Sequence, residues 1–115
     1  MTKFVTLLVE DDTVQRETFA DLLKSEGFEV IECSTAEAAE LVVATSGAEL
    51  QALVTDQNLE GNMSGAELAG YARWKFPAMN VIVMSGRAAP RLPPQTIFLQ
   101  KPFAPSLLLK AVRAA

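Results

Sequence analysis

Short apolar runs alternate with segments of helical period along this chain, and that alternation limits the possible folds more than any other feature. Phe4 to Val9 is a continuous apolar-rich run. Val14, Thr18, Phe19, Leu22 and Leu23 follow at helical spacing, and Gly27 stands where that helix should stop. Phe28 to Cys33 reads as a second strand, although it carries Glu29 and Glu32. Ser34 with Glu37 forms a capping box ahead of AEAAELVVA, a second helix. Leu50 to Thr55 is a third strand. Ser64 with Glu67 caps a third helix that should end near Pro77. Val81 to Met84 and Ile97 to Leu99 are the fourth and fifth strands, and Pro105 opens a last helix at its first position.

A repeated β-α order argues for a parallel sheet with helices on both faces. The first, third and fourth strands are apolar on both sides and belong in the interior. The second carries glutamates and the fifth is short, as edge strands should be. The resulting order, 2-1-3-4-5, is that of the flavodoxin-like α/β fold. The 115 residues suit one domain, 1–115, and no attached output domain is expected. One segment departs from the repeat. Pro90, Pro93 and Pro94 in GRAAPRLPPQT exclude more than about a turn of helix, so a Pro-rich loop should replace most of the fourth helix.

Composition removes several chemistries. The chain has no histidine, and Cys33 is its one cysteine. Ser-His-Asp and Cys-His catalysis, ordinary zinc sites and an internal disulfide are therefore excluded. The net charge is −4 with no basic run, so a nucleic-acid or anionic-membrane footprint is absent. No apolar stretch is long enough to span a bilayer, and MTKFVTLLVEDD reaches acidic residues too soon for a signal peptide. A cytoplasmic location is expected.

In open parallel sheets, sites form outside the carboxyl ends of the strands. Here those ends carry Glu10, Asp11 and Asp12, then Asp56, Ser85 and Lys101. Clustered carboxylates repel one another unless a cation neutralises them. Oxygen ligands without His or Cys suit a hard cation, with Mg²⁺ the usual choice beside phosphate. A carboxylate can attack phosphorus, and a lysine and a hydroxyl can stabilise the equatorial oxygens. The parts needed to phosphorylate Asp56 are all present.

LLVEDD, LVTDQNLEGNMSG, VIVMSG and FLQKPF occur in that order, and with them the chain resembles the receiver domain of two-component response regulators over essentially its whole length. The resemblance implies that Asp56 is the phosphoacceptor, served by a histidine kinase or a histidine phosphotransfer protein. It implies Mg²⁺ held by Asp11, Asp56, the Asn58 backbone carbonyl and, through water, Glu10. Lys101 would pair with the phosphoryl group, Ser85 would be the switch hydroxyl and Phe98 the switch aromatic, and Lys101–Pro102 would be cis. Three features depart from the family pattern. Glu60 stands where proline is usual, the 56–65 segment is one residue longer, and the Pro-rich segment alters the usual output face.

Each residue also has a plainer reading. Asp12 or Thr13 serves as the cap of the first helix, Ser85 alone would be a turn residue, and Phe98 could be plain core. Cys33 reads as an inert, partly buried thiol, and Tyr71 and Trp74 read as packing residues. Leu107 to Leu109 put apolar surface on more than one side of the last helix, which favours a protein target or a homodimer surface. Arg87, two residues after Ser85, could screen or guide an attacking water. The functional alternatives are a phosphate sink or shuttle, a pseudo-receiver binding module, and an aspartate-nucleophile phosphohydrolase. The last would need an acid two residues after the nucleophile, where Asn58 stands.

Overall fold

A computed structural model describes residues 4–114; Met1 to Lys3, part of the stretch read as lacking a signal peptide, and Ala115 lie outside it. The elements run β1 (Val5–Val9), α1 (Thr13–Ser25), β2 (Glu29–Cys33), α2 (Ala36–Ser46), a 3₁₀ turn (Gly47–Glu49), β3 (Ala52–Asp56), α3 (Gly65–Lys75), β4 (Asn80–Ser85), β5 (Ile97–Gln100) and α4 (Pro105–Arg113). All neighbouring strands pair in parallel, in the order β2-β1-β3-β4-β5. The flavodoxin-like arrangement expected from the apolar pattern is the one observed. No described helix is long and apolar enough to cross a membrane.

The period-2 alternation of side chains divides the core in two. Leu7, Val9, Leu53, Val81 and Val83 face α2 and α3, where Ala36, Ala39, Val43, Leu68, Ala69 and Ala72 meet them. Leu8, Val54, Ile82, Met84 and Leu99 face α1 and α4, with Ala20, Leu23, Leu108, Ala111 and Val112. Helices thus cover both faces, as a parallel sheet requires. Edge strand β2 exposes Glu29 and Glu32, and Glu32 pairs with Arg16 at 3.6 Å and Lys24 at 3.5 Å.

Residues 86–96 between β4 and β5 contain no helix. Leu92 packs against the α2–α3 side of the core, with Tyr71 and Phe98 among its partly buried members. The Arg73 guanidinium donates to the carbonyls of Pro77 and Met79 at 2.8 Å each and to Gln95 at 3.4 Å. One side chain on α3 thereby ties down both the α3–β4 turn and the end of the Pro-rich segment.

Two local expectations need correction. Ser34 does not cap α2; the cap is Thr35, whose hydroxyl accepts from Ala38 N at 3.1 Å. Glu37 is then free of a capping role and accepts from Asn62 N at 3.0 Å. Trp74 is 77% exposed, so it is no core residue; its ring leans on Tyr71 with centroids 6.3 Å apart. The Ser64–Glu67 box, the Asp12 cap of α1 and Pro105 at the start of α4 are as expected. Gly27 ends α1 with φ +87°, a conformation that favours glycine.

Candidate functional site

The strands bring chain-distant groups to one edge. Glu10 directly follows β1 and is 1% exposed. Asp56 is the last residue of β3, one position beyond the strand end read from the apolar run, and is 8% exposed. Ser85 ends β4 and is buried, and Lys101 follows β5. Carboxylate oxygens of Glu10, Asp11 and Asp56 lie within 4.8 Å of one another.

Lys101 reaches into this group. Its Nζ lies 2.8 Å from Glu10 Oε1 and 3.2 Å from Asp56 Oδ1, and it donates to Gln15 Oε1 at 2.6 Å. Its backbone N–H donates to the Ser85 carbonyl at 2.7 Å, which fixes the lysine to the end of β4. The Lys101–Pro102 peptide is cis. The Ser85 hydroxyl accepts from the Arg87 backbone N–H at 3.1 Å. Phe98 pairs in register with Val83 and is half-buried against the α2–α3 side of the core. Asn58 is exposed in the loop after β3, and Asp11 is half-buried.

Sequence reasoning missed Gln15 and Phe19. They sit four residues apart on α1, a spacing that places both on one face. Phe19 lies under the Lys101 ammonium, 5.7 Å from ring centroid to Nζ, and stacks on Phe103 at 5.8 Å. The i, i+4 spacing was visible, but which strand end it would face was not.

Burial pushes the carboxyls of Glu10 and Asp56 above the ordinary range, and the contacts from Lys101 counter that rise only in part. For Lys101, burial disfavours the charged form, yet its contacts with Glu10 and Asp56 outweigh this and raise its pKa. The site is thus short of positive charge. Its all-oxygen donors, with no nitrogen or sulfur ligand among them, fit a hard divalent cation such as Mg²⁺.

A pH effect follows. The folded chain holds the Glu10 and Asp56 protons more tightly than the unfolded chain does. Their contribution to stability is complete below the ordinary carboxyl pKa of about 4 and is lost as pH rises through the raised folded values. In chelator, the urea midpoint should therefore fall as pH rises from the ordinary carboxyl value of about 4 toward neutrality, and by more in the natural chain than in Asp56→Asn. Equal slopes in the two chains would contradict the assignment.

A family model for the response regulator receiver domain matches residues 6–113. This chain belongs to that family. Among curated relatives, the receiver is 34% identical over 112 residues to the response regulator protein FleR of Pseudomonas aeruginosa, covering 92% of this chain and 23% of that protein. It is 32% identical over 114 residues to the transcriptional regulatory protein FixJ of Azorhizobium caulinodans, covering 94% of this chain and 53% of that one. The chain thus spans about a quarter and about half of the length of these two relatives. Among solved structures, a response regulator receiver protein from Sinorhizobium medicae superposes with a TM-score of 0.90 at 31% identity, covering 96% of this chain and 91% of that one. The receiver fold and its place in two-component signalling are therefore established, and receivers are signalling switches rather than conventional enzymes.

Proposed function

We propose that this receiver is a phosphoacceptor switch in which Asp56 takes a phosphoryl group from the phosphohistidine of a histidine kinase or histidine phosphotransfer protein. The observation that carries this reading is the Lys101 ammonium set between Glu10 and Asp56, with Asp11 in the same cluster. An Asp56 carboxylate oxygen attacks phosphorus. An O–P bond forms as the N–P bond to the donor imidazole breaks, and the departing imidazole takes a proton. Mg²⁺, when held by Asp11, Asp56, the Asn58 carbonyl and, through water, Glu10, supplies positive charge to a phosphoryl oxygen. Lys101 supplies the protein's own positive charge and is already oriented by Glu10 and Gln15. Ser85 offers its hydroxyl proton to a further oxygen, since its present contact uses the hydroxyl as an acceptor.

The added charge biases the Ser85–Phe98 pair on β4 and β5, and a target protein reads the result. Arg73, Leu92 and the Pro-rich segment replace the helix that would otherwise lie over this edge, so the readout surface of this receiver includes residues 86–96. Turnover is limited to the chain's own transfer and hydrolysis, in a cytoplasmic pathway.

The test is incubation with Mg²⁺ and acetyl phosphate. One phosphoryl group should add per chain, be released by hydroxylamine, and fail to appear in Asp56→Asn or in chelator. An adduct that persists in Asp56→Asn would refute the assignment.

A further inference from the structure

The loop between β3 and α3 is held at two points by carboxylates from elsewhere in the fold. The Glu60 backbone N–H donates to Asp11 Oδ2 at 3.1 Å. Two residues on, the Asn62 backbone N–H donates to Glu37 Oε2, on the first turn of α2. Gly61 between them has φ +103°, and a Cβ there would lie 2.9 Å from Glu37 Oε1. Left-handed backbone at Gly61 lets the N–H groups on either side of it, of Glu60 and Asn62, reach separate acids, and glycine adopts it without strain. The Glu60 side chain is exposed, so its link to the site is made by the backbone.

We propose that Glu60 is a positioning residue for the metal site: its backbone N–H fixes the Asp11 carboxylate through one oxygen and leaves the other presented to Mg²⁺. The inference rests on the reading of Asp11 as a metal ligand. A carboxylate with no second contact must lose its rotational freedom when it binds a cation. One already held by an amide has lost much of that freedom beforehand. Hydrogen bonds that orient metal-ligating carboxylates typically account for about 10–100-fold in affinity. The donor is itself anchored, because Glu37 holds the loop two residues further on. Asn58 lies on the same segment, so one clamp sets both a carboxylate and a carbonyl ligand.

A backbone donor is removed only by proline. Glu60→Pro deletes the N–H, whereas Glu60→Ala keeps it and deletes the exposed charge. Calorimetric titration with Mg²⁺ at fixed ionic strength should give Glu60→Ala an affinity within about twofold of the natural chain and Glu60→Pro an affinity roughly tenfold weaker. Glu60→Pro binding like the natural chain would overturn the proposal. So would Glu60→Ala binding as weakly as Glu60→Pro, since the charge and not the donor would then be responsible. A natural chain that fails to bind Mg²⁺ would remove the metal reading and this inference together; normal binding with an unchanged proline variant would remove this inference alone. Amide NMR covers the case in which the proline variant misfolds. In Asp11→Ala the Glu60 amide proton should shift upfield and exchange faster with solvent, and an unchanged resonance would count against the contact.

Discussion

Lys101→Met should slow phosphoryl transfer from acetyl phosphate to Asp56 by roughly 10²–10³-fold, the usual consequence of removing one oriented charge from a developing oxyanion. Methionine keeps much of the lysine volume over Phe19 and removes only the ammonium. Three contacts are lost with it, to Glu10, Asp56 and Gln15. The same change should lower stability at neutral pH, because Glu10 is 1% exposed and loses its counter-charge. Buried carboxyls in that position take up protons rather than remain ionised. The deficit should accordingly shrink as pH falls toward the ordinary carboxyl pKa, whereas a loss due only to packing would be independent of pH. Single-turnover kinetics under saturating Mg²⁺, together with urea melts at two pH values, separate the two effects. A transfer rate within about threefold of the natural chain would show that Lys101 is not an essential part of the site.

The fold was legible because each β-α unit carried its own punctuation. Asp12, Ser64, Gly27 and Pro105 mark helix ends by local chemistry, and glutamates on β2 mark an edge by solvation. The placing of the candidate site was legible for the same reason: strand ends are fixed by the apolar runs, and the groups proposed to react lie at or directly after them. What stayed hidden depends on contacts between segments that no local pattern encodes. Ser34 and Thr35 are both chemically competent caps of α2; Thr35 takes the role, and Glu37 instead accepts from the Asn62 amide across the fold. Trp74 was read as packing, yet it is exposed and its ring meets only the neighbouring turn of its own helix, at Tyr71, among the aromatic contacts of the described residues. Glu60 read as a departure from a usual proline that should perturb the loop beside the metal, in a direction the sequence did not supply. Its consequence is the N–H that proline lacks, and only the placement of Asp11 beside the loop gives that N–H a partner.

Gly65→Ala and Gly70→Ala make the same chemical change on one helix, and they should move stability in opposite directions. Gly65 opens α3, and a Cβ there would lie 2.2 Å from the Asp56 carbonyl oxygen and 2.9 Å from Gln57 Cα. Those neighbours are backbone, so no side chain can swing aside. The approach is close because Gly65 N donates to the Gln57 carbonyl at 3.0 Å and Ala66 N to the Gln57 side chain at 2.7 Å. These bonds draw the start of α3 onto the end of β3. A methyl group must push the two apart, at a cost of about 3 kcal/mol, near the top of the range for overpacked sites. The segment that moves carries Asp56 itself. Misplacement of a reacting group by about 1 Å can cost 10²-fold, so phosphotransfer should fall by at least about tenfold in whatever fraction remains folded. Gly70 sits mid-helix with nothing within 4 Å of an added Cβ. There alanine gains helix propensity and limits the unfolded chain, for a stabilisation of about 0.5–1 kcal/mol with transfer unchanged. Urea denaturation of both variants decides the matter. If Gly65→Ala is as stable as the natural chain, the tight seating of α3 on β3 is not what holds Asp56 in place.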